Sequence, residues 1–273
     1  MSFSLAARLR GSDQKGGQVT NDEYEDAPIS LRSLASRRRT TALLFGTAAV
    51  AWAVTVVRMR GMDAGPGTDL GGLGWYLGIW VTMTAAMMLP SAAPAARHAA
   101  RLARRAPTVL FTAGYLAVWT GYGLAAYGLF RVVTSLDLGW LAWDRDGPYL
   151  AGGVIVAAGL YELTPLKQLS LRRCRSAQPS VTPIRSGLVH GLDCVGCSGG
   201  LMAALFVLGV MSIFWMAVVA AAIFAEKVLP RGERLSGMLA LALVVLGVWV
   251  AASPASVPGL TEPTGSPSMQ MSP

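Results

Sequence analysis

From Gly187 to Phe224 the chain carries no ionisable side chain except His190, Asp193, Cys194 and Cys197. A run so long and so apolar does not belong on the surface of a soluble domain. Its scale is that of a lipid bilayer, which a helix crosses with roughly 20 apolar residues. The run has 38 residues, more than one ordinary crossing needs and just enough for two joined by a very tight turn, placed near Val207–Gly209. Only a structure that satisfies its own backbone polar groups survives in such surroundings, and a helix does.

Other segments repeat the pattern. Thr40–Val57, Gly74–Ala95, Pro107–Phe130, Tyr149–Leu166 and Leu235–Ala252 each read as one span. With the long run counted twice, the expected fold is an all-α polytopic transmembrane bundle of seven spans over residues 40–252, or six if the run is one helix. Only 14% of the residues are charged, against about a quarter in soluble domains. Residues 1–39 are polar and of mixed charge and read as a disordered cytoplasmic tail. Residues 253–273 are rich in Pro and Ser and read as a second one.

The net charge of +8 would suggest nucleic acid in a soluble protein. Here the basic residues sit in short loops, where they set orientation, so no nucleic-acid partner is expected. The clusters are Arg37–Arg39; Arg97, Arg101, Arg104 and Arg105; Lys167, Arg172, Arg173, Arg175 and Arg185; and Lys227, Arg231 and Arg234. The intervening loops contain Asp63, Asp69, Asp137, Asp144 and Asp146. Seven spans put all four basic clusters on one side. The positive-inside rule then makes this a multi-pass protein of the plasma (inner) membrane, with the N-terminus in the cytoplasm and the C-terminus outside.

That orientation brings unusual residues to one depth. Met87 and Met88 fall in the inner half of the second span, and Glu162 near the inner end of the fourth. "HGLDCVGCSGG" (190–200) opens the fifth, and Glu226 and Lys227 close the sixth. At about 100° per residue, with His190 at zero, Asp193 falls near 300°, Cys194 near 40° and Cys197 near 340°. One helix face can present all four to a bundle interior. An acidic group at a span's centre costs about 2.5–3.5 kcal/mol on insertion scales. Glu162 and Asp193 therefore need each other, a cation, or Lys167 and Lys227. The bland alternative is that both stay wet at the interface.

Thiolates and thioethers select soft ions such as Cu(I), and imidazole with thiolate also suits zinc. His190, Cys194 and Cys197 are the expected ligands, with Met87 and Met88 as further thioether candidates. Asp193, Glu162 and Glu226 read as supporting groups or a cation path, balanced by Lys167 and Lys227. The bland readings are packing ones. Buried methionines usually fill cores, and Gly196 with Gly200 forms a G-x-x-x-G that lets helices approach closely. Pro90 and Pro165 are expected to kink or end their helices. Cys174 falls in a basic loop. A thiol redox protein using Cys194 and Cys197 and a non-catalytic assembly subunit are the competing classes. H-E-x-x-H does not occur, and an enzyme is the less favoured reading.

Five motifs occur in order: "AAMMLPSAAP", "GLYELTPLKQLSLRRCR", "GLDCVGCSGGLM", "GVMSIFWM" and "AEKVLPRGER". In these the chain resembles the bacterial family of predicted metal-binding integral membrane proteins, a domain of unknown function. The resemblance covers roughly residues 40–252. It implies a metal ion, copper first and zinc second, and a site drawn from Met87, Met88, Glu162, Lys167, Cys174, His190, Cys194, Cys197, Met211, Met216, Glu226 and Lys227. The sequence departs from the family pattern at Ser198, where relatives often carry a further cysteine. The expected role is to bind a soft metal ion inside the bundle, for transport or for delivery to a metalloenzyme or metallochaperone partner.

Overall fold

The computed structural model describes residues 31–59, 70–101, 106–135, 147–176, 182–209, 212–229, 232–254 and 257. Both expected tails, apart from 31–39, 253, 254 and 257, fall outside these residues, as do Met211 and the acidic residues of the intervening loops. Everything below concerns the compact unit Ser36–Pro273. The described residues form eight helices and no strand: α1 (Leu31–Met59), α2 (Leu73–Ala99), α3 (Pro107–Ser135), α4 (Gly147–Glu162), α5 (Pro165–Arg175), α6 (Pro183–Gly209), α7 (Ile213–Val228) and α8 (Gly232–Ala252).

Each boundary has a local cause. The long apolar run divides where Gly209 adopts φ 109°, a conformation that favours glycine. Ser212 then caps α7 through its side chain, which accepts from the Trp215 backbone N–H. Pro165 does not simply end the fourth segment. It stands at the first turn of a new helix, α5, where its missing N–H is no loss. Thr164 caps that helix, accepting from Lys167 N, and the axis turns by 64° between α4 and α5. Cys174 is therefore helical, not part of a loop. By contrast, α2 continues through both Pro90 and Pro94. It also begins and ends close to the expected limits, whereas α1 starts well before Thr40.

By length and composition five helical segments can cross a membrane: Arg38–Met59, Leu73–Ala99, Pro107–Ser135, Pro183–Gly209 and Arg234–Ala252. The bent α4–α5 pair makes six if it is one span. Helix α7 has 16 residues, about 24 Å at 1.5 Å per residue, and is shorter than each of these five segments. Seven spans are therefore not established by helix length.

The helices alternate in direction. Tyr76 and Trp80 of α2 bond to the carbonyls of Gly123 and Trp119 in α3, in reversed order. Gly187 of α6 lies on Phe111, and Gly191 on Tyr115 and Val118, so α3 and α6 run parallel. Gly152 meets Gly247 and Gly159 meets Ala240, so α4 and α8 run antiparallel. Thr40 Oγ1 is 3.2 Å from Thr108 Oγ1, which puts the starts of α1 and α3 together. Arg175 reaches the Leu229 carbonyl at 2.7 Å, joining the ends of α5 and α7. The starts of α1, α3, α6 and α8 thus share one end with the finishes of α2, α5 and α7. Arg38, Arg39, Arg97, Arg101, Arg172, Arg173, Arg175, Arg185 and Arg234 are exposed there.

At the α3–α6 seam, backbone sits where a side chain would. A Cβ on Gly187 would meet the Phe111 carbonyl, and one on Gly114 the Ile184 carbonyl. Gly187→Val is expected to cost about 1–3 kcal/mol by overpacking, read as a lower melting midpoint of the detergent-solubilised protein. Gly128 of α3, by contrast, faces open space. Gly128→Ala should leave the midpoint unchanged or raise it, by about 0.5–1 kcal/mol.

Candidate metal centre

Two buried polar clusters interrupt the apolar core, and both lie toward the arginine-bearing end. The first is built on α6. Cys194 and Cys197 are 0% and 1% exposed and His190 is 3% exposed, so the face expected to carry them does turn inward. Asp193, at the edge of that face, is only half-buried, and the charge acting on it is that of Arg173 on α5.

The third sulfur comes from α5. Cys174 is buried, and the Sγ atoms of Cys174, Cys194 and Cys197 all lie within 4.8 Å of one another. All three thiols are free. His190 stands beside this triangle, not in it. Its Nε2 is 3.9 Å from Cys174 Sγ, and its ring lies between those of Phe111 and Tyr115, with centroids 5.8 and 5.7 Å away. Among the described residues, His190 Nδ1 has no hydrogen-bond partner.

The three sulfurs are not equivalent. Cys194 Sγ receives Lys227 Nζ at 2.8 Å from α7 and lies 2.9 Å from the Tyr115 hydroxyl of α3. An ammonium has donors and no acceptor, so this sulfur accepts. Cys197 Sγ instead turns to its own helix, at 3.4 Å from the Cys194 carbonyl. Ser198 donates to the same carbonyl at 2.7 Å. Lys227 was expected to balance a carboxylate and instead faces a sulfur. Cys194 lies fifteen residues before Gly209, and Lys227 fifteen after Ser212. The α6–α7 pair is therefore an even antiparallel hairpin that brings them level.

Contact between α5 and α6 depends on Gly196. Ser170 Oγ and Cβ occupy the place where a Gly196 side chain would begin. Tyr161 of α4 donates to the Gly196 carbonyl at 2.6 Å. Ser170 and Cys174 are one turn apart on the same face of α5. When Ser170 seats on Gly196, Cys174 is carried to Cys194 and Cys197.

The second cluster joins four helices. Lys167 of α5 is fully buried. Its Nζ pairs with Glu162 of α4, lies 2.5 Å from Glu226 Oε1 of α7 and 2.7 Å from Ser236 Oγ of α8. Ser236 in turn donates to Glu226 Oε1 at 2.6 Å. Neither carboxylate is at a wet interface: Glu162 is 0% and Glu226 1% exposed. Met87 and Met88 belong with Met83, Met202 and Met216 to the apolar core.

Cys174 entered the expected site only through the family resemblance, and Tyr115 and Ser236 were not expected in it. A signal for Cys174 existed. Lys167, Ser170, Leu171 and Cys174 are the buried residues of α5, spaced 3, 4 and 7 like one face of a helix that starts at a Thr-Pro cap. Tyr115 and Ser236 carry no such signal.

Three thiols converging in a dry helical interior suit a soft metal ion, Cu(I) or zinc. With metal–sulfur bonds of about 2.3 Å, the zinc value, ligands around one ion lie about 3.8–4.0 Å apart, and the observed triangle has room for that. Comparison with family models agrees. Residues 77–250 match the model of the PpoB2 family, described as copper chaperone, and the chain belongs to that family. No curated protein and no solved structure matches it.

Gly196→Ala is expected to push α5 off α6 and to weaken metal binding on the order of tenfold, about 1.4 kcal/mol. Adding Ser170→Gly should restore binding by vacating the space. Isothermal titration with a Cu(I) donor, beside the melting midpoint, separates this from general unfolding.

Proposed function

We propose that this protein is a membrane-embedded copper chaperone that holds Cu(I) among Cys174, Cys194 and Cys197 and releases it to a metalloenzyme or metallochaperone partner. One observation carries the reading: three free thiols from two helices meet within 4.8 Å in the bundle interior. Family membership supports copper over zinc as the cargo. Cys174 adds a third sulfur to the two of the C-x-x-C segment.

Charge fits this cargo when one of the three sulfurs keeps its proton: two thiolates and one Cu(I) then leave a single negative charge, and the ammonium of Lys227 beside Cys194 offsets it. A buried uncompensated charge would be expensive. Tyr115 holds the same sulfur by hydrogen bonding. His190, against Cys174 at the rim, is the group placed to take or pass the ion. Met87 and Met88, buried on α2, are secondary thioether candidates. Glu162, Glu226 and Lys167 support the α5 and α7 ends, and Asp193 lines the half-exposed side.

The membrane arrangement belongs to the same proposal. Seven spans, with the arginine-bearing end in the cytoplasm of a bacterial cell, fit the alternating helix directions and the α6–α7 hairpin. A reporter fused after Ala252 should be active only outside the cell. Activity only inside would remove the seven-span topology.

Metal content of the full-length purified protein, loaded with Cu(I) under reducing conditions, tests the site. One copper per chain is expected. Cys174→Ser, Cys194→Ser and Cys197→Ser should each lower affinity on the order of 100-fold, about 2.8 kcal/mol. If Cys174→Ser binds like the wild type, the three-sulfur site is wrong. If no variant matters but Cys194 and Cys197 can be trapped as a disulfide, the redox reading takes its place.

A further inference from the structure

The second cluster has a charge it does not balance. Glu162 and Glu226 bring two carboxylates and Lys167 one ammonium. Lys167 Nζ donates hydrogen bonds to Glu226 Oε1 and Ser236 Oγ and forms an ion pair with Glu162 Oε2. Ser236 Oγ lies 2.6 Å from Glu226 Oε1 and 3.2 Å from the Gly232 carbonyl. Both Glu162 carboxylate oxygens are fully buried with no hydrogen-bond partner among the described residues.

No other described cation reaches these oxygens. Arg175 donates to the backbone carbonyls of Glu226 and Leu229 and not to the Glu226 carboxylate, and Lys227, next in sequence, is committed to Cys194. The groups around the pair are Lys167 from α5, Glu226 from α7 and the uncharged Ser236 from α8. From α4 itself comes Tyr161, whose hydroxyl is spent on the Gly196 carbonyl of α6. Gln168 of α5 gives its amide N–H to the Glu162 backbone carbonyl at 3.1 Å and keeps a buried, unpartnered Oε1 of its own. Two carboxylates that share a dry site cannot both ionise against one ammonium.

We propose that Glu162 and Glu226 together bind one proton in the bundle interior, making this cluster a proton-binding site separate from the three sulfurs. The proton supplies the missing positive charge, and it gives the unpartnered Glu162 carboxyl a hydrogen to share. It does not rest on the copper reading, and its test does not read copper.

The test is infrared spectroscopy of the full-length, metal-free protein in lipid. At neutral pH the wild type should show the C=O stretch of a protonated carboxyl, shifted in D2O. Glu162→Gln and Glu226→Gln should each abolish it, because Lys167 alone balances the one carboxylate that remains. Glu162→Asp, which keeps two carboxyls, should retain it. A wild type without the band, or a band that persists in both glutamine variants, overturns the proposal. Persistence would place the proton elsewhere, with Asp193 as the next buried acid.

Discussion

A lysine ammonium shut away from water is tolerated only where oxygen atoms come to meet it. Lys167 imposes that condition on the whole bundle. Its three partners come from α4, α7 and α8, so four helices must hold their positions for the charge to remain paired. Taking one partner from a buried pair typically costs about 3–5 kcal/mol, a large share of a domain's net stability. Replacing the network with apolar groups would often be neutral or stabilising. Its retention therefore points to a role in placing helices, not in strength alone.

The placing matters because the sulfur triangle is assembled from parts that the ion network fixes. Lys167 lies two turns before Cys174 on the buried face of α5. Glu226 is the neighbour of Lys227 on α7. The same anchor thus sets both the third sulfur and the ammonium that faces Cys194. Gly196 is the complementary condition on α6: an absent side chain allows the close approach that the anchor demands. Small residues at helix crossings serve in the same way throughout membrane bundles.

The bundle also separates two kinds of charge. The exposed arginines crowd one end, and the buried ions lie just inside it. A cation held by thiols close to that end needs only a short path to a partner at the surface. The half of α6 beyond it, residues 200–209, carries no polar side chain.

Much of this was legible in the chain. Apolar runs of bilayer length, one of them double, dictate helices. The spacing of His190, Cys194 and Cys197 dictates a shared face, because the angle per residue within a helix is a local property. Pairings between helices are not local. Cys174 reads as a loop cysteine until Thr164 and Pro165 start a new helix at 64° to the last. That bend, and the seat of Ser170 on Gly196, decide that the third sulfur arrives. Lys227 reads as a counter-ion for a carboxylate until the α6–α7 hairpin sets it level with Cys194. Its neighbour Glu226 instead goes to Lys167, about 100° further round α7. The sequence by itself determined which helices form and which faces turn inward. Only the tertiary structure decided which sulfur, ammonium and carboxylate meet, because that depends on how closely two backbones approach, and distant side chains set that distance.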